Sequence, residues 1–155
     1  MKRIIKLLLL FLALTGCSFV NEVYEGDKII LPYVEGGEIV FCSVDEAYDM
    51  VKIQKKDGAF FICDETLIPC VELRNTISVW CQGHNAAIYE IDYTLIDEAQ
   101  SILLTEMTEG YYEWSDEVSI PCVYFFKEGQ TKMRSDSSNT TTYLNRYVEV
   151  NKPEN

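Results

Sequence analysis

The residues of this chain that are best suited to chemistry are its cysteines. There are six in 155 residues, at positions Cys17, Cys42, Cys63, Cys70, Cys81 and Cys122. A thiolate can attack a disulfide or bind a soft metal ion. The chain has one histidine, His84, close to Cys81, but a structural zinc site needs four ligands at closed spacing. We therefore expect thiol chemistry and no metal site.

No other set of residues offers a competing chemistry. The sequence contains no Gly-rich phosphate loop and no Ser-His-Asp set, so we expect no cofactor. The formal net charge is −12, and residues 17–155 carry 10 basic and 25 acidic side chains, because three of the 13 basic residues precede Cys17. This acidic balance excludes a nucleic-acid or anionic-lipid binder that works through a basic surface.

Residues 1–16 have the pattern of a secretory signal peptide. The start is basic, with Lys2, Arg3 and Lys6. The apolar run Leu7–Leu14 follows it and is shorter than the roughly 20 residues that span a bilayer. The run leads into Leu14-Thr-Gly-Cys17, which resembles the lipobox of a bacterial lipoprotein signal peptide. This resemblance implies that Cys17 is lipidated and anchors the mature chain at the extracytoplasmic side of a bacterial cell membrane. An ordinary cleaved signal peptide is the alternative.

The apolar segments, caps and turns predict one α/β domain. The predicted strands are Ile39–Cys42, Ala59–Cys63, Ala86–Asp92, Cys122–Phe126 and Thr131–Ser135, and the predicted helices cover 43–56, 69–83, 97–107 and 139–148. Ser43-Val-Asp-Glu46 is a capping-box pattern that opens the first helix. That helix should bury Ala47, Met50, Val51 and Ile53. The alternating start implies parallel strands, and the closing hairpin adds antiparallel ones.

Two segments of the sequence carry a family resemblance. Ala59–Cys70 combines a buried strand, a loop and a Pro-Cys at a helix start, and Ser119–Gly129 has an Ile-Pro before an apolar strand and a Gly turn. They resemble the active-site and cis-proline segments of thioredoxin, and the bacteriocin-transport accessory type of thioredoxin-like proteins has a similar combination. The resemblance implies a three-layer fold with a central mixed sheet flanked by helices. It also implies a cis bond before Pro121, which would shape a substrate groove.

The chain then divides into four parts. Residues 1–16 are the lipoprotein signal peptide, and residues 17–37 are the lipidated N-terminus and a polar tether, with one short strand near Lys28–Leu31. The thioredoxin-like domain is expected at 38–150, and residues 151–155 form a polar tail.

The motif departs from the family at its first cysteine. It reads Leu67-Ile-Pro-Cys70, so the attacking thiol of Cys-x-x-Cys is missing and Cys70 stands in the place of the second cysteine. A thiol in a first helical turn can have its pKa lowered by the helix dipole. Cys63 ends the neighbouring strand and Cys122 follows Pro121 directly, so either is a possible redox partner of Cys70. Cys70 could also react alone with a partner thiol.

Buried cysteines often behave as small apolar side chains, and this interpretation applies most to Cys42 and Cys81. It also stays open for Cys63 and Cys122. Three functions are therefore compatible with the sequence: thiol-disulfide exchange with a protein or peptide partner through Cys70, a non-catalytic binding module that keeps the groove, and an accessory protein of a transporter or secretion system. The absence of a cysteine at Leu67 favours the second, whereas several thiols outside the reducing cytosol favour the first.

Overall fold

The computed structural model describes residues 24–109 and 120–153. The strands in these ranges are β1 (Ile29–Pro32), β2 (Glu38–Phe41), β3 (Gly58–Cys63), β4 (Ala87–Asp92), β5 (Cys122–Lys127), β6 (Gln130–Asp136) and β7 (Val148–Asn151). The α-helices are α1 (Val44–Tyr48), α2 (Ile68–His84), α3 (Glu98–Met107) and α4 (Thr140–Tyr147). A π-helical turn, Asp49–Ile53, follows α1, and a 3-10 turn, Tyr93–Leu95, follows β4. The predicted signal peptide and the predicted lipidation site, Cys17, lie outside the described residues.

Five strands form one mixed sheet in the order β2-β4-β3-β5-β6. The strands β2, β4 and β3 are parallel, and β5 and β6 are antiparallel to their neighbours. The alternation of strands and helices produces the parallel half, and the two-residue turn Glu128-Gly129 produces the antiparallel hairpin. Both turn residues have positive φ, 53° and 81°, as a type I′ turn requires. The predicted mixed sheet flanked by helices is confirmed.

The central strand β3 separates two hydrophobic cores. All six of its residues are buried, as its uninterrupted apolar sequence predicts. Phe61 and Cys63 pack in the core beneath α2 and α4, and Phe60 and Ile62 pack in the core beneath α1 and α3. The side chains of one strand alternate between the two cores because successive residues point to opposite faces of a sheet. Helices on both faces give the three layers.

The segment interpreted as a tether contains part of the domain. Strand β1 pairs in parallel with β7, and Ile29 and Leu31 are fully buried in the core under α2 and α4. The backbone N–H of Ile30 also donates to the carboxylate of Asp57 at 3.1 Å. The domain therefore begins before Glu38, because the two ends of the folded chain complete each other's backbone hydrogen bonds.

The first helix begins as predicted and ends differently. Ser43 Oγ accepts a hydrogen bond from Glu46 N at 3.2 Å, and the Glu46 carboxylate accepts one from Ser43 N at 2.7 Å. This capping box is confirmed, and it is one reason why the pKa of Glu46 lies below its usual value. The helix then widens into the π-helical turn, which changes the angular step between residues. Ile53 is consequently 67% exposed, and the expectation that it is buried is wrong.

Within the described ranges, no helix is long and apolar enough to cross a membrane.

Candidate functional site

Three of the predicted site thiols lie at the same end of the central sheet. Cys63 is the last residue of β3, Cys70 lies in the first turn of α2, and Cys122 is the first residue of β5, opposite Ile62. Cys63 and Cys70 are both buried in the core beneath α2 and α4, and after burial the interaction with Cys70 is the next cause that raises the pKa of Cys63. Cys122 lies in the other core, beneath α1 and α3, where burial is the main cause that raises its pKa. Cys70 therefore shares its core with Cys63 and not with Cys122.

The loop between β3 and α2 positions the sulfur of Cys70. The carboxylate of Asp64 accepts hydrogen bonds from the backbone N and the hydroxyl of Thr66, at 2.8 and 2.6 Å, and Leu67 N donates to Asp64 O at 3.0 Å. The bonds from Thr66 hold the pKa of Asp64 below its usual value. With the turn closed in this way, Asp64 N donates to Cys70 Sγ at 3.1 Å. A backbone N–H and the first turn of a helix both favour negative charge on this sulfur.

The pKa of the Cys63 thiol lies above its usual value. Burial raises it most, and the interaction with Cys70 raises it further. The charge of Glu90 also raises this pKa, whereas the guanidinium of Arg74 lowers it. The surroundings of the two sulfurs differ: Cys70 Sγ accepts a backbone hydrogen bond, whereas Cys63 Sγ lies near the guanidinium of Arg74.

A partly buried ion pair beside Cys63 was missed by sequence reasoning. Arg74 Nε donates to both carboxylate oxygens of Glu90, at 3.1 and 3.0 Å, and Arg74 Nη2 contacts Cys63 Sγ at 4.0 Å. Glu90 is 1% exposed. Two signals could have revealed it: Glu90 interrupts the apolar run of β4, and Arg74 lies four residues after Cys70, on the same helix face.

Pro121 stands at the same sheet end. The Ile120–Pro121 peptide bond is cis, as the resemblance implied, and Pro121 is buried. Burial raises the pKa of the Cys122 thiol that follows it, and the nearby Arg134 opposes this increase through its charge and a hydrogen bond. Cys122 therefore lies beside the cis proline, on the other face of the sheet from Cys63.

Three apolar side chains close to Cys70 in sequence are exposed: Leu67 and Val71 by 39% each and Ile68 by 73%. Cys63, Cys70 and Cys122 are all buried. A partner sulfur therefore reaches Cys70 only if the residues that cover it move.

The remaining described cysteines lie apart from this site. Burial raises the pKa of Cys81 to about 11 and that of the half-buried Cys42 to about 12, so both are expected to be unreactive thiols. The ring of His84 stacks on Trp80 with centroids 4.1 Å apart, and its Nδ1 lies 2.8 Å from Trp80 O. In the ranges that the structure describes, no three histidine, cysteine or acidic residues form a group that could hold a metal ion.

The comparisons with known proteins bear on the fold. No protein-family model matches the sequence, and no curated protein matches it. Several solved structures do match the fold, at low identity. Thioredoxin O1 from Arabidopsis thaliana in the oxidised state is 14% identical, with 73% of this chain and 99% of that chain covered and a TM-score of 0.53. A putative oxidoreductase with a thioredoxin fold is 13% identical, with 72% and 94% covered and a TM-score of 0.57.

A thioredoxin mutant from Halobacterium salinarum is also similar, at 15% identity over 75% of this chain and 96% of that chain, with a TM-score of 0.51. The match covers nearly the whole length of each of these three neighbours. They share with this chain a mixed sheet between layers of helices. At such low identity the likeness concerns the fold. The chain therefore has a thioredoxin-like fold.

Proposed function

We propose that this protein is a thiol-disulfide exchange protein, anchored by lipid at the extracytoplasmic side of a bacterial membrane, whose reacting pair is Cys63 and Cys70. The observation that carries the proposal is that these two buried thiols share one core, with Cys63 at the end of β3 and Cys70 in the first turn of α2. The bond from Asp64 N to Cys70 Sγ supports the assignment of Cys70 as the attacking sulfur. The first cysteine of the usual motif, absent at Leu67, is replaced by one at the end of β3.

The reaction transfers two electrons to a partner disulfide. The Cys70 thiolate attacks one sulfur of that disulfide, a bond forms between them, and the other partner sulfur leaves as a thiolate. Cys63 then loses its proton and attacks Cys70, which closes the Cys63–Cys70 disulfide and releases the second partner sulfur. The two protons lost by Cys63 and Cys70 are taken up by the two partner thiols. The reverse sequence oxidises a partner dithiol.

Counting thiols tests this proposal directly. We expect mass spectrometry of the purified mature protein to find a Cys63–Cys70 disulfide after mild oxidation and two additional free thiols after reduction. We also expect turnover of insulin or of a glutathione mixed disulfide. Cys42 and Cys81 supply the internal control and should stay thiols throughout, since Cys42 follows the edge strand β2 and Cys81 lies near the far end of α2 from Cys70. A protein that stays fully thiol and gives no turnover would end the redox proposal.

A binding module is the second candidate, and the apolar surface at Leu67, Ile68 and Val71 favours it. These exposed side chains, next to the buried thiols, could hold an extended or unfolded partner without any electron transfer. In that case peptide binding would be unchanged when Cys63 and Cys70 are both replaced by serine. Under the redox proposal, the same double replacement removes turnover.

Membrane attachment is tested through Cys17. In a bacterial host we expect labelled palmitate to be incorporated into the wild-type chain and not into Cys17→Ser, because only the thiol of that residue can accept the lipid. Cys42→Ser serves as the matched control and should be labelled like the wild type. If Cys17→Ser retained the label, lipidation at this residue would be disproved.

A further inference from the structure

The ion pair of Arg74 and Glu90 lies against the reacting thiols and has no part in the exchange steps given above. Arg74 extends from α2, Glu90 from β4, and Cys63 ends the strand between β4 and β5. The contact of 4.0 Å between Arg74 Nη2 and Cys63 Sγ places a full positive charge next to one reacting sulfur. In a partly buried site, a charge at this distance interacts strongly with a thiolate.

The guanidinium is held in a fixed position. Glu90 accepts hydrogen bonds from Nε through both carboxylate oxygens and from Nη2 through Oε1, and the centroid of the Phe41 ring lies 5.9 Å from the guanidinium carbon. The hydrogen bonds to Glu90 are the main reason why the pKa of Arg74 is raised. A planar, pre-oriented guanidinium can stabilise a charge that forms beside it without first reorganising.

We propose that Arg74 stabilises the thiolate of Cys63 as this sulfur leaves or attacks Cys70, and that Glu90 limits the effect by neutralising part of the guanidinium charge. The inference rests on the proposed function. In the reductive direction, a thiolate of a dithiol reductant forms a bond to Cys70 Sγ, the Cys63–Cys70 bond breaks, and its electron pair stays on Cys63 as a thiolate next to Arg74. The second thiol of the reductant then displaces Cys70, and the two protons lost by the reductant are gained by Cys63 and Cys70.

This role predicts opposite effects for the two partners of one ion pair. Removing the positive charge makes Cys63 a poorer leaving group, so exchange slows. Removing the negative charge leaves the guanidinium unneutralised, so exchange becomes faster. A purely structural role predicts that both changes slow the reaction, because either would disturb the position of the thiols.

The experiment measures the reduction of the Cys63–Cys70 disulfide by dithiothreitol, with acid quenching, alkylation and mass spectrometry, in the full mature chain. We expect Arg74→Met to be about tenfold slower than wild type, Glu90→Gln about threefold faster, and Arg74→Lys within about threefold of wild type because it keeps the charge. Lys52→Met is the matched control, since it removes an ion pair with Glu109 that lies away from the thiols, and its rate should be unchanged. Circular dichroism identifies any variant that is unfolded at the assay temperature. If Arg74→Met is unfolded, the direction of the rate change in Glu90→Gln and the rate of Arg74→Lys decide the outcome.

Two results would overturn the inference and they differ from each other. In the first, the wild type forms the disulfide, but its reduction is slowed in Glu90→Gln, or is slowed in Arg74→Lys as much as in Arg74→Met. Arg74 then has no electrostatic role, and the proposed function stands. If the wild type forms no Cys63–Cys70 disulfide under any oxidising condition, the proposed function itself is wrong and the inference fails with it.

Discussion

Replacing Cys70 by serine abolishes turnover of insulin or of a glutathione mixed disulfide, with an expected loss of more than about 100-fold. The hydroxyl that replaces the thiol is not ionised at neutral pH, so the hydrogen bond from Asp64 N and the first turn of α2 have no anion to stabilise. The change conserves the shape of the side chain, which should keep the packing around the fully buried Cys70 nearly intact. Initial rates at several partner concentrations measure the loss.

Cys63→Ser should give a different result from Cys70→Ser. With the attacking sulfur present and the second one absent, the reaction should stop at a mixed disulfide between Cys70 and the partner, visible as an added mass. Cys81→Ser is the control, because Cys81 lies about three helical turns beyond Cys70 along α2. Equal turnover of Cys70→Ser and Cys81→Ser would contradict the assignment, and a mixed disulfide found on Cys122 would move the reaction to the other face of the sheet.

Arg74→Met lowers the free energy of unfolding by about 3 kcal/mol, the second large effect that we expect. The change leaves the carboxylate of Glu90, which is 1% exposed, without its bidentate partner in a poorly solvated position. The cost arises mostly from the buried charge that remains rather than from the favourable energy of the pair. Urea unfolding, followed by circular dichroism at neutral pH, measures it.

The double variant Arg74→Met/Glu90→Gln separates these two contributions. With no charge left to bury, we expect it to regain roughly half of the stability lost in the single variant, or more. Lys52→Met is again the control: its pair with Glu109 is 3.2 Å long and partly exposed on both sides, so the loss should be about 1 kcal/mol or less. If Arg74→Met were as stable as the wild type, solvent would have to reach the carboxylate of Glu90 easily, and the expected cost of a buried charge would be contradicted.

Much of the central sheet could be predicted from local sequence. The six-residue apolar strand β3, the capping box at Ser43 and the Gly-containing turn before β6 are short-range patterns, and each has the structure that its pattern indicates. The alternation of strands and helices then leaves few topologies for the parallel half. The cis bond before Pro121 depended on the resemblance, because no local rule distinguishes it from a trans bond.

The predictions failed where contacts join distant parts of the chain. The pairing of β1 with β7 connects residues 29–32 with residues 148–151, so the strand in the expected tether has no local sign of its partner. The exposure of Ile53 depends on a π-helical turn that the apolar spacing does not reveal. In both cases the final position was determined by long-range packing rather than by local preference.

At the thiol site, too, some features follow from the sequence and others depend on long-range packing. The sequence by itself determined which residues could react: it excluded a cysteine at Leu67, placed Cys70 in the first turn of a helix and left Cys63 and Cys122 as equal partners. Only the tertiary structure decided which of them shares a core with Cys70, because β3 turns the side chains of Cys63 and Ile62 to opposite faces and α2 covers the face of Cys63. The same packing of α2 on β4 brought Arg74 and Glu90 together beneath Cys63. The sequence does not show that this arginine and this glutamate are partners. Only the packing of α2 on β4 makes them an ion pair next to the sulfur of Cys63.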